Sequence, residues 1–310
     1  MKRVQVFAPA SIGNFAAGFD VLGAAIAPLA GPPLGDQVEI RLARAASYTA
    51  DGPYAHRLPR RPEDDLVLRA CDAFARAWGR ELPPLAIRLH KQLPVGSGLG
   101  SSSTSVVATL VALDTLLEAG LGPETMLRAA GETEALGSGA FHLDNVAPAM
   151  LGGLRLVVPA GPPRALPFPD HLLFAVASPD LELNTRDARR ALPAQVPREL
   201  AVEHAQNLAG LVLALGAGDA DLRRACLRDL LAEPYRAPLV PGFRAVQAAA
   251  MAQGAEGCTL SGAGPAIFAV VDQGRAEAVA GAMAEAWNGA EIPCQVRICR
   301  LEGQGARVLS

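Results

Sequence analysis

Several kinds of protein are excluded by what this 310-residue sequence lacks. Its five cysteines (Cys71, Cys226, Cys258, Cys294 and Cys299) are odd in number and show no CxxC spacing. That argues against a disulfide framework or a zinc site and makes a reducing compartment the expectation. It has no surplus of either charge: 28 basic against 31 acidic residues give a formal net charge of −3. Neither nucleic acid nor an anionic membrane surface is expected as a partner. Apolar runs such as Val106–Leu113 fall short of the ~20 residues that span a bilayer. The opening MKRVQVFAPAS lacks the apolar core of a signal peptide. The expectation is a soluble, cytoplasmic protein without internal repeats.

What is present is ample material for packed cores. Half the residues are hydrophobic and 19% are charged, and the length favours two domains. Alternation at Val4–Phe7, Val38–Leu42 and Leu85–Leu89 predicts strands. Helical spacing predicts helices over Asp65–Trp78, with Gly79 as its stop, over Thr104–Leu117 and over Pro123–Ala135. Leu154–Val158 reads as a strand, and the proline- and glycine-rich AGPPRALPFP after it marks a boundary between domains at 1–158 and 165–310. Beyond it, strands are expected at Leu172–Ala177, Glu256–Leu260, Ile267–Val271 and Cys294–Cys299. Helices are expected at Arg186–Ala191, Leu200–Leu215, Asp221–Leu231, Gly242–Gln253 and Ala276–Trp287. Strands and helices mix without steady βαβ alternation, so the class is α+β.

The strongest local signal is Pro94-Val95-Gly96-Ser97-Gly98-Leu99-Gly100-Ser101-Ser102-Ser103, between a predicted strand and a long apolar helix. Three glycines permit tight turns and close backbone approach, and the helix that follows offers unpaired N–H groups and a positive dipole end. Together they favour a phosphate. The other reading is a flexible linker with a serine cap, which seldom sits between a regular strand and so apolar a helix. The segment is not a GxxxxGK[ST] loop, because it has no lysine at that place.

PVGSGLGSSS resembles the ATP-phosphate motif of the GHMP kinases. APASIGNFAAGFDVLG (Ala8–Gly23) and TLSGAGPAIFAVV (Thr259–Val271) match that family in the same order. HLDNVAPAMLGG (His142–Gly153), NTRDARRALP (Asn184–Pro193) and EPYRAPLVPGF (Glu233–Phe243) look like the branch that phosphorylates homoserine. The resemblance covers essentially the whole chain. It implies an N-terminal domain like the second domain of ribosomal protein S5, a ferredoxin-like C-terminal domain, and a site in the cleft between them.

The function it implies is transfer of phosphate from ATP to the side-chain hydroxyl of L-homoserine, in threonine biosynthesis. Nucleotide phosphates would rest on Pro94 and Gly96 to Ser103, with Ser102 and Glu134 holding Mg2+. On residue type alone Glu134 reads as a solvated helix carboxylate, and neighbouring Glu132 could substitute for it. Asn14, Asp20, His142, Asn145, Thr185, Arg189 and Arg236 match the acceptor contacts. A substrate with a carboxylate, an ammonium and an alcohol suits that set: arginine forks bind carboxylates, Asp20 with Asn14 can take an ammonium, and Asn145 would lie near the reacting hydroxyl. Asp20 could instead act as a general base. Ser261, Gly262 and Gly264 are expected to form a tight turn bordering the site. Dimerisation is an expectation of the resemblance alone. The chain departs from the family pattern at Ser11-Ile12-Gly13, at Ala16-Ala17 before Gly18-Phe19-Asp20, and at Asp65, where an asparagine is common.

Overall fold

A computed structural model describes residues 2–309. In chain order the first half forms β1 (Arg3–Pro9), β2 (Ser11–Gly13), β3 (Leu22–Pro28), β4 (Gly35–Leu42), β5 (Ser47–Asp51), α1 (Leu66–Trp78), β6 (Leu85–His90), α2 (Ser101–Leu117), α3 (Pro123–Ser138), α4 (Val146–Leu151), β7 (Leu154–Leu156) and β8 (Arg164–Leu166). The second half forms β9 (Leu172–Pro179), α5 (Thr185–Arg190), α6 (Arg198–Ala217), α7 (Ala220–Cys226), α8 (Glu233–Arg236), α9 (Phe243–Ala252), β10 (Gly257–Leu260), β11 (Ile267–Asp272), α10 (Ala276–Gly289), β12 (Cys294–Leu301) and β13 (Arg307–Val308).

The strands make two sheets, in the orders β13-β1-β4-β6-β5 and β10-β11-β9-β12-β3-β7-β8, with β2 paired to β3. Only the β5–β6 pairing is parallel among the described strands. This is the α+β arrangement of antiparallel sheets with helices packed on them. Both sheets draw on both halves of the chain: β3, β7 and β8 extend the second, and β13 returns to edge the first.

Local chemistry explains the elements that matter for the site. Asp65 caps α1 by accepting from the Val67 amide at 2.9 Å, and Gly79 ends it in the left-handed conformation. The helix buries Val67, Ala70, Ala73 and Phe74 with α2, α3 and the first sheet in one core. The helix expected from Thr104 starts instead at Ser101, so the serines ending the glycine-rich segment form the first turn of α2. The helix expected over Asp221–Leu231 stops at Cys226, because Asp229 accepts from the amides of Leu231, Ala232 and Glu233 and so opens α8. Phe15, on the loop between β2 and β3, is fully buried against Phe168, Phe174 and Phe268. Burial of one such ring contributes about 1.5–3 kcal/mol and anchors that loop.

Among the described residues, α6 is the one helix long and apolar enough to cross a membrane, with a mean hydropathy of 1.2 over its window. It lies against α7 and sends Leu211, Ala214 and Leu215 inward.

Candidate active site

The glycine-rich segment turns through the left-handed region at Gly96, Gly98 and Gly100 (φ 68°, 80° and 65°). A Cβ on Gly98 would lie 2.6 Å from the Ser261 carbonyl oxygen, and one on Gly100 would lie 2.1 Å from Ser11 Oγ. Both the dihedral and the space therefore demand glycine at these two places. Gly100 is the N-cap of α2, and the N–H groups of its first turn have no acceptor inside the helix. With the helix dipole behind them they form an anion seat. Gly96, Ser97, Gly98, Gly100, Ser101, Ser102 and Ser103 line one cleft together with Glu134, His142, Asn145 and Thr185. Pro94 and Leu99 are not in that lining, and neither are Asn14, Asp20, Arg189 and Arg236. The Leu99 side chain is core, and its carbonyl accepts from the Ser11 amide at 3.1 Å.

Glu134 reaches the phosphate seat from α3. It is only 5% exposed, and its Oε2 accepts from Ser102 Oγ at 2.8 Å. Its Oε1 has no protein partner. Burial pushes its carboxyl above the ordinary range, against the smaller opposing effects of Ser102 and His142. A buried carboxylate oxygen without a partner, beside a serine hydroxyl and the free amides of a helix start, is a donor set that fits a small divalent cation. Glu132, the alternative carboxylate, lines a separate surface pocket with Arg76 and Arg128.

The acceptor candidates come from five elements. Asn14 and Asp20 sit on the β2–β3 loop, where Asn14, Ala16 and Asp20 all have positive φ (50°, 50° and 56°). Ala16 is thus held in a left-handed conformation that costs a non-glycine residue roughly 1–2 kcal/mol. The loop is held by its own side chains: Asn14 Oδ1 accepts from the Asp20 amide at 2.8 Å, and Asn14 Nδ2 donates to the Gly262 carbonyl at 2.8 Å. Arg189 on α5 grips Asp20 with both terminal guanidinium nitrogens, at 3.0 and 3.1 Å. Arg236 on α8 is 2% exposed and donates to the carbonyls of Gly262 and Ala188. Burial, and next the Arg189 charge, holds its guanidinium below the ordinary value. Both guanidiniums lie over the Phe19 ring.

Gly262 ties this cluster to the phosphate seat. Its carbonyl meets Asn14 and Arg236, its amide donates to Gly13, and the preceding Ser261 hydroxyl donates to the Gly98 carbonyl at 2.7 Å. The turn expected at Ser261–Gly264 is therefore a strut between the two parts of the site. Asn145, at the start of α4, accepts from Ser11 Oγ at 2.9 Å and lies beside Gly100 and Gly13. His142 Nδ1 lies 3.1 Å from Asp144 Oδ1, a contact of charge rather than an aligned hydrogen bond. Burial alone would lower its pKa; the opposing pull of Asp144, Glu134 and Asp20 leaves it raised.

Three participants escaped the sequence reading. Asp144 is buried and accepts from the Asn14 amide at 2.9 Å. Asp36 and Lys91 form a buried pair under the glycine-rich loop, and Lys91 lines the cleft. The only signal was position: Asp144 precedes Asn145, and Lys91 stands three residues before Pro94.

An anion-binding helix start with a buried carboxylate beside it, strutted to a cluster of charged side chains, defines a small-molecule phosphotransferase. The model of the GHMP kinase N-terminal domain matches residues 65–153, and that of the GHMP kinase C-terminal domain matches residues 211–289. The fold is similar to the crystal structure of homoserine kinase from Cytophaga hutchinsonii, with a TM-score of 0.89 and 36% identity over 100% of this chain and 98% of that one. It is also similar to a candidate homoserine kinase from Listeria monocytogenes (TM-score 0.74, 26% identity, 99% of each chain). Lactococcus lactis galactokinase shares the fold at 14% identity, with a TM-score of 0.71 over 99% of this chain and 95% of that one. The chain belongs to the GHMP kinase family, whose members use ATP as phosphate donor.

Proposed function

We propose that the chain phosphorylates the side-chain hydroxyl of L-homoserine with MgATP, giving O-phospho-L-homoserine on the way to threonine. The observation that carries this reading is the joined set Asp20–Arg189–Arg236. One carboxylate and two guanidiniums, gathered beside the phosphate seat, can receive the ammonium and carboxylate of an α-amino acid. A mevalonate-like or sugar acceptor has no ammonium to satisfy Asp20. The 36% identity with the Cytophaga hutchinsonii homoserine kinase supports the same substrate. The division into two domains at 158–165, with the acceptor between them, belongs to this proposal, as does a reducing cytoplasm for its five free cysteines.

In this reading the amides of Ser101 to Ser103 and the turns at Gly96 and Gly98 hold the nucleotide phosphates. Ser102 and Glu134 would hold Mg2+, which neutralises phosphate charge when bound. Arg189 and Arg236 take the acceptor carboxylate, Asp20 with Asn14 takes its ammonium, and His142 and Thr185 complete the pocket. Asn145 orients the hydroxyl. Asp20 pairs with Arg189 through both oxygens, an ion pair that the substrate ammonium and carboxylate would open; in this reading Asp20 is a binding group, and transfer proceeds by orientation and electrostatic stabilisation. An ADP-release assay with MgATP against homoserine, serine, threonine, mevalonate and galactose tests the proposal. Turnover selective for homoserine is expected; turnover confined to another acceptor would overturn the substrate assignment.

A further inference from the structure

We propose that Asp36 and Lys91 are a buried positioning pair that sets the register of the phosphate loop, clamping the chain entering it and the helix leaving it to one point on β4. The inference rests on the reading of Gly96–Ser103 as the nucleotide-phosphate seat.

Asp36 is completely buried and Lys91 is 2% exposed. The carboxylate accepts five hydrogen bonds. Two come from the amides of Gln92 and Leu93, where the chain enters the loop, at 2.9 and 3.1 Å. Two come from Thr104 Oγ1 and Ser105 Oγ on the first turns of α2, at 2.6 and 2.7 Å. The fifth comes from Lys91 Nζ at 2.5 Å. The ammonium also donates to the Ser101 carbonyl at 2.6 Å and to Ser105 Oγ at 3.0 Å. Ser101 completes the ring by donating from Oγ to the Leu93 carbonyl at 3.2 Å. Both ends of the loop are thus tied to the same two side chains.

The geometry also separates this lysine from the phosphate-gripping lysine of a GxxxxGK[ST] loop. An ammonium has three protons. All three are used inside the protein, on Asp36, Ser101 and Ser105, so none is left for a phosphate oxygen. Lys91 acts by holding the Ser101 carbonyl, and through it the direction of the free amides and of Ser102 Oγ. Composition points the same way. Lys2 and Lys91 are the only lysines among the 28 basic residues. Lys2 is exposed. Three acceptors converging on one buried point suit a compact ammonium, whereas a planar guanidinium fork needs them spread apart.

A buried ion pair often contributes little net stability compared with apolar residues of similar volume. Its removal is therefore read in the nucleotide site, at temperatures well below each protein's Tm. The Asp36→Asn, Lys91→Met double variant leaves no unpaired buried charge. It is expected to fold, to bind MgATP at least about tenfold more weakly by calorimetry, and to keep its acceptor KM within about twofold. A folded double variant with MgATP Kd and KM within about twofold of the parent overturns the proposal. Thr104→Val with Ser105→Ala keeps both charges and removes the two hydroxyl anchors on Asp36, one of which also accepts from Lys91. It is expected to raise the ATP KM at least about threefold with the acceptor KM unchanged, and an unchanged ATP KM overturns the proposal even where the double charge variant fails to fold. If the parent itself binds no MgATP, the nucleotide reading falls and this inference falls with it.

Discussion

The two walls of the proposed site are built by different means. The phosphate wall is a continuous stretch of chain that offers backbone amides and small hydroxyls, held by glycine turns and a buried pair beneath. The proposed acceptor wall is made of polar and charged side chains that meet only in the fold: Asp20 and Arg189 are 169 residues apart, and Asn14 reaches Gly262 across 248. A backbone-made site recognises what all nucleotides share, whereas a side-chain-made site can change its ligand one residue at a time. Gly262 and Ser261 are where the two walls touch.

The contrast can be broken from either side. The largest effect is expected at Glu134. Glu134→Gln should lower kcat by roughly 10²–10³ by removing the carboxylate that would hold Mg2+ beside the phosphates. Its stability should move the other way. Burial raises the folded-state pKa, so the folded chain holds this proton more tightly than the unfolded one, and stability is lost as pH rises through the folded pKa. Without divalent metal, the parent should therefore lose more melting temperature between about pH 5 and about pH 8 than the variant does, as thermal denaturation would record. Equal pH slopes would contradict the burial of an ionising Glu134.

Gly98→Ala should be next. The left-handed turn and the Ser261 carbonyl leave no room for the methyl, and about 1–3 kcal/mol of strain should accompany a loss of about 10² in kcat/KM. Nucleotide KM should bear much of that loss in steady-state assays. Asp20→Asn touches the other wall. It should raise the acceptor KM by roughly 10–100-fold, the worth of a hydrogen bond to a charged group, with kcat at saturation little changed. A large fall in kcat would make Asp20 a base. The smallest effect is expected at Arg190, which is exposed and paired only with exposed Asp187. Arg190→Ala should leave both KM values alone and change stability by less than about 0.5 kcal/mol in denaturant melts.

The same contrast explains what could be read from the sequence. The phosphate wall is local, so glycine spacing before an apolar helix betrayed it, and helices with clear caps, such as the one after Asp65, emerged close to their observed ends. Strand β3 did not emerge, because LGAAIAP has neither alternation nor the β-branched bulk that marks a strand; it is a strand because its neighbours in the second sheet pair with it. The acceptor residues were legible only jointly, through a family resemblance, since a lone Asp20 or Arg189 looks like any turn or surface charge. Lys91 and Asp36 were invisible for a related reason. Burial decides their role, and burial of a charge follows from tertiary partners 10 to 69 residues away rather than from spacing.

The most direct test of two walls with separate duties is an initial-rate matrix for Arg189→Met, with MgATP and homoserine each varied against the other. The expected result is an acceptor KM raised at least about 30-fold, from loss of a bidentate charge contact, with the ATP KM within about twofold of the parent. A parallel rise in both constants, or a change in the ATP constant alone, would contradict it.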